Sequence, residues 1–326
     1  MPSTQYDLCG IGNAIVDVVA PVTEAFLSKH DMHKGSMTLI TADQAEAIYR
    51  ELPEGRESSG GSVANTCAVA AGLGARVAFL GKVAGDALGQ VFHRDIESVG
   101  VSFPTSPLLG GAPTARCLIA VTEDGQRTMN TFLGACVEFG PADIDELVIT
   151  GSAVTYLEGY LFDPPQAQAA FLRAAGIAHK AGRKVALSLS DAFCVDRHRA
   201  AFRDLVAGHV DILFANETEI CSLYEKNTFE EAAALAAQDV ELVALTRSED
   251  GSVILHKGER IEVPAAPAVV VDTTGAGDAY AAGFLAGLAG KRPLAECGNL
   301  GSRAAAAAIG QYGARPDVDL KAMAAQ

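Results

Sequence analysis

The segment Asp272-Thr273-Thr274-Gly275-Ala276-Gly277-Asp278-Ala279-Tyr280 brings together groups suited to holding an anion beside a proton acceptor. It joins the apolar run Ala268 to Val271 to an Ala-rich helix reaching about Ala289. Small residues let the backbone N–H groups of Gly275, Ala276 and Gly277 converge, and the helix dipole adds partial positive charge. Such a turn suits a phosphate whose charge grows in a transition state. Asp278, in the first helical turn, stands beside that anion hole, where a carboxylate can take a proton from an attacking hydroxyl. The same residues also make a plain tight turn in which Asp278 caps the helix, and the segment alone does not choose between the two.

Other phosphate-binding patterns fail. No Gly-x-x-x-x-Gly-Lys-[Ser/Thr] loop occurs, because Arg76 precedes the Gly81-Lys82 pair and Leu285 precedes Gly290-Lys291 where the first glycine belongs. Gly10-Ile11-Gly12 begins like a dinucleotide fingerprint, but Ile15 occupies the third glycine position, which counts against a Rossmann dehydrogenase.

The elements that must position these residues follow an α/β pattern. From about residue 60, strand-like runs alternate with Ala-rich helical segments, which predicts a mostly parallel sheet covered by helices on both faces in three layers. Strands are predicted at Tyr6 to Ile11, Arg76 to Leu80, Ala153 to Leu157, Lys184 to Leu189, Asp211 to Ala215 and Glu241 to Thr246. Ser62 opens a helix closing around Gly72 and Gly74, Pro164 and Pro165 mark another first turn, and Thr41 with Gln44 forms a capping box for a helix running to Leu52. Two stretches, about 14–40 and 115–132, break the alternation. In the second, Arg116 to Thr122 and Arg127 to Phe132 read as strands joined by a turn at Glu123 to Gln126. Coming from distant parts of one continuous unit, 1–326, they predict a small discontinuous β lid, the alternative being an edge hairpin with no lid function.

Composition excludes several classes. The 326 residues are 49% hydrophobic and 20% charged, with no apolar run long enough to span a membrane. Twenty-five basic against 40 acidic residues give a net charge of −15, which repels nucleic acid and anionic membranes. The polar opening from Met1 to Asp7 has no signal-peptide pattern, so a cytoplasmic location is expected. Seven scattered cysteines without a CxxC read as reduced, buried thiols, and the histidines, His30 and His33 included, show no zinc spacing.

Asp272 to Asp278 resembles the C-terminal signature of the PfkB, or ribokinase-like, sugar and nucleoside kinases. Gly60-Gly61-Ser62-Val63-Ala64-Asn65, with Gly72-Leu73-Gly74 and Gly81 to Gly89, is similar to that family's N-terminal signature. Asn216-Glu217-Thr218-Glu219 is similar to its NxxE motif, although these residues would equally start a helix with Asn216 as N-cap. Gly12-Asn13-Ala14-Ile15-Val16-Asp17, Ala25-Phe26-Leu27, Lys29 to Met32 and Val210 to Glu219 place the nearest likeness in the adenosine kinase branch.

The resemblance implies a ribokinase-like fold and an ATP-dependent transfer of the γ-phosphate to the primary hydroxyl of a ribosyl substrate. Adenosine, converted to AMP in purine salvage, is the expected acceptor; another nucleoside, ribose, fructose or ketodeoxygluconate is the alternative, and a non-catalytic nucleotide-binding protein a more remote one. It implies Asp278 as base, Gly275, Ala276 and Gly277 as anion hole, and Asn13, Asp17, Gly60, Gly61 and Asn65 around the substrate. Asn216, Thr246, Gly251 and Thr274 would contact ATP, Glu219 would act on Mg²⁺ through water, and K⁺ would activate. For Asp17 a turn or lid-edge carboxylate remains the other reading. A monomer or homodimer is expected.

Two positions depart from the family pattern. Ser248 stands where TxGxxG has a glycine, and Ser188 where many relatives carry Asn. Arg127 on the lid would either approach the transferred phosphate or be a solvated strand residue. Phe103, Phe132, Leu133, Cys136 and Phe162 are candidates for a base pocket or for plain core.

Overall fold

Along the central strands, successive apolar residues divide between two cores. Leu8, Phe79 and Phe214 face one, and Ile11, Leu80, Leu157, Leu187 and Leu213 face the other. A strand buried on both faces in this way belongs inside a three-layer α/β sandwich. The structure is a computed structural model that describes residues 4–325; Met1 to Ser3 of the polar opening lie outside them.

The strands are β1 (Tyr6–Ile11), β2 (Ile15–Pro21), β3 (Met37–Leu39), β4 (Arg56–Gly60), β5 (Val77–Leu80), β6 (Val101–Ser102), β7 (Ala115–Val121), β8 (Arg127–Phe132), β9 (Ser152–Glu158), β10 (Lys184–Ser188), β11 (Ile212–Asn216), β12 (Leu242–Thr246), β13 (Ser252–His256) and β14 (Glu259–Val263). The helices are α1 (Glu24–Lys29), α2 (Ala42–Glu51), α3 (Ser62–Gly72), α4 (Ala87–Ser98), α5 (Glu146–Gly151), α6 (Pro165–Lys180), α7 (Ala192–His209), α8 (Glu217–Tyr224), α9 (Phe229–Asp239), α10 (Ala276–Ala289), α11 (Leu294–Ile309) and α12 (Leu320–Ala324).

The main sheet has nine strands in the order β14-β13-β12-β11-β10-β9-β1-β5-β6. Its pairs are parallel except β12 with β13 and β13 with β14. The chain leaves β1 toward β5 and β6 and later returns to the other side of β1 with β9. Carboxyl ends of strands beside such a reversal form a crevice, which is where open α/β sheets bind ligands. All six strands predicted for this sheet are present. The antiparallel β13–β14 edge is not announced by the alternation, since three of the five residues of Glu259–Val263 are charged.

The second sheet has five strands in the order β3-β8-β7-β2-β4. It also takes in Arg56–Gly60, which lies between the two stretches that break the helical alternation and whose polar Arg-Glu-Ser-Ser-Gly sequence carries no strand signal. The capping box at Thr41 and Gln44 opens α2. Val16, Val18, Leu118 and Ala120 on one face of this sheet are buried with Leu27 of α1 and Ile48 of α2. Its other face turns toward the carboxyl ends of the main sheet.

Candidate active site

Between the two sheets runs a cleft of about 2300 Å³. Asn13 follows β1, while Glu158, Ser188, Asn216 and Thr246 end β9, β10, β11 and β12, so all five reach the cleft from the carboxyl edge of the main sheet. The N-termini of α3 and α10 enter from the side, carrying the two glycine-rich motifs. Gly61, the N-cap of α3, has φ +101°, and a Cβ there would lie 2.2 Å from Asn13 O. Gly275, the N-cap of α10, has φ +77°, and its Cβ would strike Ala314. Both turns therefore require glycine.

Asp278 lies in the first turn of α10 at the floor of the cleft. Ser62 Oγ donates to its Oδ1 at 2.6 Å, and Asn65 Nδ2 approaches its Oδ2 at 3.4 Å. Burial raises its pKa to about 6, against the pull of these donors and of the Arg315 guanidinium. At neutral pH the group is mostly ionised and basic enough to accept a proton. Gly277 and Gly275 N–H groups meet no protein acceptor among the described residues, whereas Ala276 N–H is shared with Thr273 O at 3.2 Å. Thr274 lines the cleft, but its hydroxyl and N–H both bond Asp272 Oδ1, at 2.6 and 3.0 Å.

Asn13, Asp17, Gly61 and Asn65 converge on one wall. Asn13 Oδ1 is buried and meets no donor among the described residues, which leaves an acceptor for a ligand hydroxyl. Asp17 is raised to about 6 by burial, with Arg315 and Arg127 opposing. Gly60 sits behind the lining, its backbone against the Asp17 carboxylate. Beyond this polar wall, the cleft face of the five-stranded sheet presents Ile15, Met37, Leu39, Ile119 and Met129, with Leu133 alongside.

Of the five residues named as base-pocket or core, only Leu133 lines the cleft. Phe103 packs on Phe79 and Phe92, and Phe162 on Phe171 and Phe202. Cys136 is buried with its thiol on Leu133 O, and Phe132 lies outside the lining. All seven cysteines are free thiols, six of them buried.

At the other end, Thr246 and Gly251 line an apolar slot with Ala265, Pro267, Val270, Ala305 and Ile309. Ser248, at the position where the resembled pattern has glycine, adopts φ +51°, so it follows the left-handed backbone that a glycine would take without strain. Asn216 and Glu219 form a capping box. Glu219 accepts from Asn216 N at 2.9 Å and Nδ2 at 2.6 Å, and burial raises it to about 7. No cluster of three metal-ligating side chains exists among the described residues. Such a site fits Mg²⁺ held mainly by substrate phosphates and water, with one carboxylate in support.

Three residues of the cleft are given no role there by the sequence. Glu158 is fully buried and accepts from Asn13 N–H and the α3 N-terminus, and burial raises its pKa to about 8. Ser62 reads as a helix start, yet its hydroxyl reaches Asp278. Arg315, in the loop after α11, inserts its guanidinium between Asn65 and Ser59. Arg127 of β8 pairs with Asp272, the first residue of the anion-hole motif, and both side chains are nearly buried.

Residues 35–321 match the pfkB family of carbohydrate kinases. The chain is 31% identical over 71% of its length, and 73% of the relative, to an ATP-dependent ribose-1-phosphate kinase of Halopiger xanaduensis. The structure of adenosine kinase from Sinorhizobium meliloti superposes with TM-score 0.89 at 52% identity, covering 98% of this chain and 99% of that one. A probable sugar kinase from Rhizobium etli superposes with TM-score 0.90 at 48% identity, covering 99% and 98%. The three-layer sandwich with its second sheet is thus the ribokinase-like fold.

Proposed function

Because the chain belongs to the pfkB family of carbohydrate kinases and is an ATP-dependent phosphotransferase acting on hydroxyl groups, we propose that its acceptor is a nucleoside, adenosine foremost, phosphorylated on the 5′ hydroxyl. One observation carries this reading. The polar wall of Asn13, Asp17, Gly61 and Asn65 has Asp278 at one end and the apolar face of the second sheet at the other. The wall matches the vicinal hydroxyls of a ribose, and a site built to hydrogen-bond them rejects analogues lacking them. The apolar face matches a flat base, which a free sugar would leave unfilled. Asp17 and Asp278 place two carboxylates on the same wall, which disfavours an acceptor already carrying phosphate.

In this mechanism Asp278 accepts the 5′ proton as the oxygen attacks the γ-phosphorus in line. Backbone N–H groups of Gly275, Ala276 and Gly277 face the charge on the equatorial oxygens. Thr246, Gly251 and the apolar slot hold the adenine end of ATP, with Asn216 and Thr274 nearer its phosphates. Glu219 would support Mg²⁺ through water; when bound, the ion neutralises phosphate charge. Arg127 would exchange Asp272 for the transferred phosphate as the second sheet closes as a lid, which excludes water. K⁺ activation follows from the family likeness and is checked by replacing KCl with choline chloride.

The enzyme is taken to act as a cytoplasmic monomer in purine salvage. Support for the monomer is that α1 and α2 already cover the outer face of the second sheet; light scattering checks it. The function is tested by mass spectrometry of products from ATP with adenosine, inosine, guanosine, cytidine, ribose, ribose 1-phosphate, fructose and ketodeoxygluconate, with Asp278→Asn protein as blank. AMP formed in preference supports the reading, and a phosphorylated sugar overturns the nucleoside assignment.

A further inference from the structure

Arg315 lies on the loop between α11 and α12, far in sequence from every glycine-rich motif. That loop is clamped to the anion-hole turn: Gly313 N–H donates to Asp272 Oδ2 at 3.1 Å, and Ala314 packs directly on Gly275. Gln311 braces it from within, donating to Arg315 O and accepting from Asp317 N–H, each at 2.8 Å. The guanidinium is thereby delivered to the wall of the cleft. Its Nε donates to Asn65 Oδ1 at 2.9 Å and its Nη2 to Ser59 Oγ at 3.0 Å, while Nη1 stands 3.5 Å from Asp95 Oδ2. Asp95 in turn accepts from Ser59 N–H at 2.8 Å, so the arginine is held from two sides.

This contact fixes something that an asparagine alone leaves open. The two ends of the Asn65 amide have nearly the same shape, and only its hydrogen-bond partners decide which way it points. A guanidinium has donors and no acceptor, so the amide oxygen must face Arg315. The NH₂ group must then face Asp278, where Nδ2 lies 3.4 Å from Oδ2. Reversed, the amide would set its oxygen against a carboxylate and its NH₂ against a cation, both repulsive.

We propose that Arg315 is a positioning residue for phosphoryl transfer: by taking the Asn65 oxygen it aims the Asn65 NH₂ at Asp278 and holds that carboxylate oriented and ionised. The inference rests on Asp278 as the proton acceptor. Charge works in the same direction. Asp17 from β2 disfavours ionisation of Asp278 and Arg315 favours it, while Glu158 and Tyr156 from β9, Tyr160 after it and Glu219 from α8, which also face the group, are themselves held protonated partly by its charge.

The test compares Arg315→Met, Asn65→Ala and the double variant, at saturating Mg·ATP and adenosine. Each single substitution is expected to lower kcat about 10- to 100-fold with the KM for ATP unchanged. The double variant should be no more than about 3-fold below Asn65→Ala, because the arginine acts through the asparagine. An arm that needs no acceptor follows the ¹³C carboxyl titration of Asp278, assigned by its loss in Asp278→Asn. Its midpoint should rise by about one pH unit in Arg315→Met and stay in place in Arg315→Lys, which keeps the charge but not the fork. Additive effects on kcat overturn the proposal, as does an unmoved titration in Arg315→Met protein that still binds a non-hydrolysable ATP analogue. Should Arg315→Met fail to bind that analogue, Arg315→Lys decides alone, since wild-type kcat there shows that the fork is not needed. Near-normal turnover of Asp278→Asn would instead remove the base reading itself, a separate outcome.

Discussion

Ser62 Oγ donates to Asp278 Oδ1 at 2.6 Å across 216 positions of sequence, so the first residue of one helix holds the first-turn carboxylate of another. Thr66, one turn further along α3, donates to Asp278 O at 3.2 Å and fixes the same pair of helices at a second point. The two glycine-rich motifs are therefore halves of one device, one supplying donors and the other the carboxylate they orient. Removing the hydroxyl in Ser62→Ala takes away a bond that stabilises the ionised form. The acid limb of kcat should move to higher pH by about half a unit, with the KM for ATP unchanged. A limb that stays in place would show that the hydroxyl only caps the helix.

Asp278→Asn keeps the shape of the side chain and its place in α10 but cannot take a proton. Turnover should fall about 10³-fold or more, with the affinity for ATP within about 3-fold of wild type. In the wild type, turnover should fall as pH drops through about 6, the value to which burial raises this carboxylate. Near-normal turnover by the asparagine variant would leave Asp278 as a helix-capping residue.

Acceptor choice is tested on the apolar face of the second sheet. Ile119 of β7 projects into the cleft on the strand that pairs with β2, which carries Asp17. Ile119→Ser removes apolar contact there, at a cost of about 1–2 kcal/mol for a ligand that covers it. The kcat/KM for adenosine should fall about 5- to 30-fold, while any turnover of ribose stays as it was. An equal loss for both acceptors would place the base elsewhere.

What the sequence conveyed was local, and what it concealed was tertiary. Asp278, Gly61 and Asn216 were readable because each sits at a helix start whose punctuation is written in adjacent residues. The main strands were readable because burial on both faces makes them continuously apolar. Arg56–Gly60 is polar because it lies at the edge of the second sheet beside β2, so its pairing is invisible to hydropathy. Arg315 and Glu158 reach the cleft only because the chain folds back on itself, by a loop in one case and the end of β9 in the other. Phe103 and Phe162 were left open between base pocket and core because they are large and apolar in either place, and here they fill cores.

Glu158 offers a test of the buried acid cluster through stability rather than turnover. Its carboxylate is buried at the N-terminus of α3, and its pKa is raised from 4.5 to about 8. Below about pH 4.5 the group is protonated in both the folded and the unfolded chain, so it does not affect the balance between them. Between about 4.5 and 8 the unfolded chain releases this proton and the folded chain keeps it, so unfolding becomes progressively easier, by up to a few kcal/mol. Above 8 the cost no longer grows. Glu158→Gln has no proton to lose, and whatever its amide costs or gains against the backbone donors of Asn13 and α3 does not change with pH. The difference in Tm, variant minus wild type, should therefore become more positive as pH rises from 5 to 8, whatever its value at pH 5. A difference that is flat or declines over that interval would mean that the helix N-terminus and its backbone donors hold Glu158 ionised despite its burial.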